Sequence, residues 1–402
     1  MNTFCSTWGL EVNIKKTKVV CFGRRPSNYT FKLNSIIIDY VDSYTYLGVT
    51  ITKNGHFTTA RADLRKKALR ALFALKKHAN REYLTPRSLL FLFDSLIKPI
   101  LLYSCQVLLP HTPLFTKLLN KDLDPSSLLQ AMGRDIHELF HLRYLKWVLG
   151  VHRKASNVGT YGELGRLPLI FDGIKLSCDY FERCRALSDD TLAKKAFIEQ
   201  KRLDLNWYHN INEVRKIFSE GQSKIPSINV FQNFRTSFIT KLFRIINESP
   251  KLKFYSKVKT DFILENHLNC TIFKYRAALT RLRISAHCLE IERGRYGSHN
   301  TKNSIPREHR LCRYCNEVCK IEKIESEEHV LQNCPLYYKF RMEFQTKCRN
   351  VINALNQGTT EPATDVDDQN TNNEIIFFLS KFCHKIFKFR KAFLEYLDDY
   401  SD

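Results

Sequence analysis

Four residues late in the chain restrict its fold more than any others. Cys312 and Cys315 are separated by two residues, and His329 and Cys334 by four, with thirteen residues between the two pairs. A Cys-x-x-Cys step suits a knuckle turn that aims two thiolates at one point. The His329–Cys334 spacing places two more ligands on one face of a helical turn. Four soft or borderline donors in two close pairs match tetrahedral structural Zn2+. Cys319 is an alternative to Cys315, and reduced packing cysteines beside an exposed histidine are the plain alternative to the whole site. The thirteen cysteines are odd in number and form no framework, which suits a reducing compartment, nucleus or cytoplasm, and thiols used for packing or metal.

Charge restricts the partner. Lys plus Arg number 63 against 41 for Asp plus Glu, a formal net charge of +22 over 402 residues. An excess of that size points to RNA and/or DNA. No leader and no uninterrupted membrane-length apolar run is present. The longest apolar stretch, Leu89 to Leu109, is interrupted by Asp94, Lys98 and Pro99 and reads as a core helix pair. Nothing points to a membrane or a small-molecule substrate as partner. The oligomeric state stays open.

The first 56 residues alternate as strands do. Val19–Phe22, bounded by Gly23 and Pro26, Thr30–Leu33 and Ile36–Ile38 about an Asn34-Ser35 turn, and Tyr44–Thr52, closed by Asn54-Gly55, are the expected strands. From Thr58 to Asn80 the period becomes helical, with Leu64, Ala68, Leu72 and Leu75 on one face. Arg61, Arg65, Lys66, Lys67, Arg70, Lys76 and Lys77 cover the rest, making a basic rod suited to phosphates or simply a solvated face. Thr85-Pro86 opens another helix with a buried stripe at Leu89, Phe93, Leu96 and Ile100. His111–Ser127 is proline-marked and expected as a loop, and Ile136–Val148 as a helix. Residues 174–293 read as amphipathic helices with joints near Gly221, Pro226 and Pro250. In the last of these, Thr271–Arg293, the cations Lys274, Arg276, Arg281 and Arg283 interleave with Phe273 and aliphatic residues, as a nucleic-acid contact does. Polar Asn356–Asn373 is expected as a flexible linker. Glu374–Tyr400 is a helix with a seam at Ile375, Leu379, Phe382, Ile386, Phe389 and Phe393, for core packing or self-association.

Several of these stretches resemble the reverse transcriptases of LINE-type (non-LTR) retrotransposons. Trp8-Gly9-Leu10, Asn13, Lys16-Thr17-Lys18 and Phe22 are similar to the family's WGLxxNxxKTKxxxF segment, and Tyr46-Leu47-Gly48-Val49 with Gly55-His56-Phe57 to its YLG hairpin. Leu96–Tyr103 resembles a thumb run. Leu145–Val151, Lys154–Asn157 and Tyr161–Arg166 resemble the connector that follows it. Leu279–Arg283 with Arg307, Leu311 and the Cys/His ligands resembles the stretch ending in a CCHC zinc knuckle. The resemblance covers most of residues 1–345.

It implies an α+β, mainly α chain: the end of a palm (1–57), thumb-like helices (58–127), a nucleic-acid-binding helical connector (128–300), the knuckle (301–345), a linker (356–373) and a C-terminal helix (374–402). It further implies that Lys16 or Lys18 matches the motif D lysine and that Tyr46, Leu47 and Gly48 are primer-grip-like. The aspartates that hold Mg2+ in the family lie before the segment at which this chain opens, so no catalytic residue is expected here. Tyr396-Leu397-Asp398-Asp399 imitates a YxDD box in letters but falls at a helix end, and it reads, like Asp189-Asp190, as an acidic helix tail. About sixty residues after Arg341 are too few for an appended nuclease. The expectation is a nucleic-acid-binding C-terminal part of an RNA-directed DNA polymerase, inactive by itself. The alternatives are a repurposed zinc-dependent RNA- or DNA-binding protein and a zinc-stapled helical scaffold.

Overall fold

A computed structural model describes residues 2–24, 29–33, 35–119, 125–218, 227–296, 304–358 and 365–399. The fold is mainly helical with two small antiparallel sheets. A short helix α1 (Asn2–Thr7) precedes two hairpins: β1 (Lys32–Leu33) pairs with β2 (Ile36–Ile37), and β3 (Ser43–Tyr46) with β4 (Val49–Thr52). Tyr44–Thr52 is therefore not one strand but two. The chain reverses at Leu47 and Gly48, both at positive φ (46° and 83°), the pattern of a two-residue turn that matches strand twist. Val19–Phe22 is not a strand either. Val19 makes a single bridge to Tyr40. Ser35 turns the first hairpin at φ 66°; Asn34 and Pro26 lie outside the described residues.

Helix α2 (Thr58–His78) buries Leu64, Ala68, Leu72 and Leu75 as the periodicity requires, and adds Ala60. Helix α3 (Pro86–Leu96) starts where the Thr85 hydroxyl accepts from the Ser88 N–H, with Pro86 in the first turn, where its missing N–H costs nothing. Its stripe departs from expectation: Leu96 is exposed and Ile97 is fully buried. Pro99 forces a break at Ile97, and the short helices α4 (Lys98–Leu101) and α5 (Cys105–Leu108) resume in a new register. The expected loop 111–127 is largely helical: Pro113 opens α6 (Pro113–Leu118) and Pro125 opens α7 (Pro125–Arg134). Those prolines mark helix starts and not loop interior.

Helix α8 (Ile136–Leu149) is capped by Asp135, whose carboxylate accepts from His137 and Glu138 N–H, and ends at Gly150 with φ 68°. Then come α9 (Asn157–Leu164), α10 (Leu169–Ala186), α11 (Leu192–Arg202), α12 (Asn206–Phe218), α13 (Ser227–Glu248) and α14 (Lys253–Val258). Asp189-Asp190 occupies the turn between α10 and α11 and not a helix tail. Pro250 joins α13 to α14, while Gly221 and Pro226 lie outside the described residues. The stretch read as one helix, Thr271–Arg293, is two: α15 (Phe273–Arg283) and a single turn, α16 (Glu290–Arg293).

Helix α17 (Tyr338–Gly358) and α18 (Asp365–Asp399) enter the expected linker from both sides, so only 359–364 of Asn356–Asn373 lie outside the described residues. The Asn- and Asp-rich letters that suggested a linker belong to the first turns of α18. That helix packs on the body, against α15 and α17, burying Phe382, Cys383 and Ile386. Phe389 of the expected seam is exposed but meets the Phe340 ring at 5.3 Å.

Two large apolar clusters and a small one of Ala60, Leu64 and Leu108 pack the described residues. The first runs from Ala68 to Ala286 and includes Phe93, Ile97, Tyr144, Phe171, Phe181 and Tyr255, so the segments 58–127 and 128–300 share one core. It takes in Leu89, Phe93, Ile97, Leu101 and Leu109 of the apolar run Leu89–Leu109, while Phe91, Leu96 and Tyr103 face outward, and no single helix among the described residues is long and apolar enough to cross a membrane. The second cluster joins Ala278, Leu279 and Leu282 of α15 to Cys312, Val330, Tyr337, Phe382 and Ile386. Helix α15 thus lies between them, because Ile284 and Ala286 just beyond it belong to the first core.

Candidate metal centre and basic surface

The second core is built around the Cys/His pattern. Leu311 and Ile324 form an antiparallel bridge, with Cys312 N–H donating to Lys323 at 2.7 Å and Glu325 N–H to Arg310 at 2.9 Å. That rung fixes Cys312 at the mouth of a tight loop. The wide π turn Tyr314–Val318 then carries Cys315 inward. A second π turn, His329–Asn333, closes with Cys334 N–H donating to the His329 carbonyl at 2.8 Å. A five-residue step overshoots an α-helical turn, and the wider π turn returns His329 and Cys334 to the same side. Ser326 starts the turn by accepting from His329 N–H. Arg341 closes it, donating to the carbonyls of Leu331 at 3.0 Å and Cys334 at 2.6 Å.

All four side chains are buried, and their ligand atoms lie within 4.8 Å of one another. Sγ of Cys334 is 3.8 Å from that of Cys312 and 3.9 Å from that of Cys315, and Cys315 Sγ is 3.4 Å from His329 Nε2. Bonds of about 2.3 Å to sulfur and 2.0 Å to nitrogen in a tetrahedron put sulfurs about 3.8 Å apart and sulfur about 3.5 Å from nitrogen. The cluster therefore fits a tetrahedral metal ion and is far too open for a disulfide, whose sulfurs are about 2.05 Å apart. The Cys312 thiol is pushed down to about 4, first by the hydrogen bond from Cys334, and the same bond pushes Cys334 up. Three thiolates this close need a cation to coexist. Cys319 is half-buried and outside the cluster, so of the two it is Cys315 that stands where a ligand would.

Ion pairs tie the centre to its surroundings. Arg390 of α18 donates to both Glu325 oxygens (2.7 and 2.6 Å) and to Glu290 of α16 at 3.0 Å. Glu327 accepts from Ser285 and His287 at 2.8 and 2.9 Å. Burial would raise that carboxyl, but the His287 hydrogen bond and charge bring it below its ordinary value. Arg313 pairs with Asp398, so the YLDD letters sit at a helix end against the metal loop.

The cations singled out by sequence divide into three kinds. Some are structural. Arg61 pairs with buried Asp135 at 2.8 Å. Arg276 is buried and holds the carbonyls of Cys270, Thr271 and Leu84 at 3.0, 3.1 and 2.8 Å. Arg283 joins Glu163 and Glu265 at 2.9 and 2.8 Å. These three are corrections to the expected nucleic-acid contacts: periodicity found the helices, but their charged side chains turn inward.

Others are outward. Lys66, Arg70 and Lys77 are exposed along one face of α2, with Leu69 and Phe73 exposed between them, and Arg65 is half-buried beside it. Lys67 donates to the Gly48 carbonyl at 3.3 Å, and Tyr103 OH to that of Leu47 at 2.6 Å. This fastens the Tyr46-Leu47-Gly48 turn beside the rod with Tyr46 and Leu47 exposed. Of the two motif D-like lysines, Lys18 pairs with Asp39 at 2.6 Å and Lys16 is exposed.

The third kind surrounds Trp147. Lys76 Nζ is 4.6 Å from its ring centre and Arg81 Cζ 5.7 Å, while Arg81 also lies 4.5 Å from Phe273. Arg281 donates to the Gly150 carbonyl at 2.8 Å, and Lys274 is exposed. Sequence reading missed Arg81, which follows the helix in an unremarkable turn, and gave Trp147 no role. No family model, curated protein or solved structure matches the chain.

Proposed function

We propose that this protein binds single-stranded RNA or DNA by tracking phosphates along α2, and that the Cys312, Cys315, His329 and Cys334 cluster holds a structural Zn2+. The exposed face of α2 carries the reading. Lys66, Arg70 and Lys77 provide charges one to two turns apart, with Phe73 between them, beside the fastened Tyr46-Leu47-Gly48 turn. Cations that follow a backbone together with aromatic faces for bases are what single strands require. The resemblance to non-LTR reverse transcriptases supports the same partner and makes this the thumb and knuckle part of such a polymerase. The donor set of three cysteines and one histidine, all buried, supports zinc in a closed structural role. When bound, the ion neutralises the thiolates and staples the second core.

Fluorescence anisotropy with labelled RNA and DNA oligonucleotides across a salt series tests this. Each lost phosphate contact lowers the slope of log affinity against log salt by about 0.7 for single strands. The variant K66Q/R70Q/K77Q should therefore lose about 2 from the slope. F73A should weaken binding by about 1–3 kcal/mol with little change in slope. Absence of salt-dependent binding by the wild-type protein would leave only the zinc-stapled scaffold.

A further inference from the structure

Several buried or half-buried cations among the described residues are matched by carboxylates, as Arg61, Arg283 and Arg390 are. The junction of α2, α8, α15 and α18 is different. Half-buried Lys76 and Arg81 and the more exposed Arg281, whose Nε reaches the Gly150 carbonyl, converge there, and among the described residues none of them is in ion-pair contact with an acid. The one carboxylate acting on Arg81 is that of exposed Glu82. Arg81 depresses both Lys76 and Arg281, in each case after burial, so it repels the cation on either side of it. The line continues onto α18: His384, beside Tyr275, is held down first by burial and then by Lys274, Lys388 and Arg281. Lys274 and Lys388 are exposed at the rim.

Holding Lys76, Arg81 and Arg281 together without a carboxylate costs free energy, which the rings of Trp147 and Phe273 and the carbonyls of Trp147 and Gly150 offset. We infer that this junction is a built seat for phosphodiester groups, separate from the α2 face and reached by the same nucleic-acid strand. The inference rests on the nucleic-acid reading above. The chemistry of the ligand follows from the aromatics. Trp147 and Phe273 have cations against their rings, so they hold the charges in place and are not platforms for bases. The group received is the phosphate, and the seat is indifferent to base sequence.

The experiment compares three variants on a short single-stranded RNA oligonucleotide and on phosphatidylserine-containing vesicles, with far-UV circular dichroism and zinc content as folding controls. K76Q/R81Q/R281Q removes the inner charges. K274Q/K388Q removes rim charges that make no hydrogen bond among the described residues, so it keeps the test valid if the inner variant fails to fold. K66Q/R70Q/K77Q removes the α2 face. The seat is supported if either seat variant lowers the oligonucleotide salt slope, by about 2 for the inner one and about 1.4 for the rim, equally on oligonucleotides of different sequence. If only the α2 variant lowers the slope, the seat is refuted and the function stands. Vesicle binding lost in the seat variants with an unchanged oligonucleotide slope would make the junction a lipid-headgroup site and overturn the inference. A wild-type protein that binds no oligonucleotide refutes the functional reading itself.

Discussion

Replacing Glu138 by glutamine should stabilise the protein at neutral pH. Glu138 lies in the first turn of α8, is 1% exposed, and among the described residues makes no ion pair with Lys or Arg; the ring of buried His141 is 4.0 Å away. Its Oε1 accepts from Ile170 N–H at 2.5 Å, and Tyr161 OH approaches Oε2 at 3.4 Å. Burial, followed by the neighbouring Asp135 charge, pushes the carboxyl from 4.5 up to about 8. At pH 7 the folded protein therefore keeps a proton that the unfolded chain has released. The 2.5 units between 4.5 and pH 7 correspond to about 3 kcal/mol at 1.36 kcal/mol per unit. The folded pKa is raised, so the contribution is fully present below 4.5 and is lost as pH rises through about 8. Glutamine keeps the acceptor for Ile170 and carries no charge. E138Q should then match wild type near pH 4.5 and exceed it by about 3 kcal/mol at pH 7. Urea melts of both proteins from pH 5 to 8.5 provide the measurement. A stability difference that stays constant across that range would refute the argument that this carboxyl is neutral in the fold.

The metal centre makes a chemical prediction: C312S and C334S should each release one zinc per chain by elemental analysis, while C319S retains it. R390M strands Glu325 and Glu290 beside the centre and should cost about 3–5 kcal/mol in chemical denaturation. The double variant R390M/E325M should recover much of that loss, since replacing both partners removes the buried charge. G150A places a Cβ 2.6 Å from the Phe273 ring in a residue held at φ 68°, and should cost more stability in chemical denaturation than the ~1–2 kcal/mol of left-handed strain alone.

The clustering of Cys312, Cys315, His329 and Cys334 was legible in sequence because their spacing needs only turns at fixed intervals to bring them together. Helix α2 was legible because a single apolar period runs through it without interruption. The register of α3 was not, because Pro99 resets the phase at Ile97 and letters alone do not say by how much. Pro113 and Pro125 have the same ambiguity, serving loops and helix starts equally well. The direction of a charge was least legible of all. Arg276, Arg281 and Arg283 stand on one short helix, yet their fates depend on carbonyls and carboxylates contributed by residues such as Leu84, Gly150 and Glu163. Nothing local to α15 encodes those partners.

The bond from Arg276 to the Leu84 carbonyl joins residues 192 apart. During synthesis at roughly 5–20 residues per second, the turn after α2 waits about 10–40 seconds before that arginine is made. Throughout that interval the carbonyls of Arg81 and Leu84 lack the guanidinium that binds them in the fold. The chain must therefore remain partly open on the ribosome until its last third emerges, and a chaperone that shields the early helices would act in that interval.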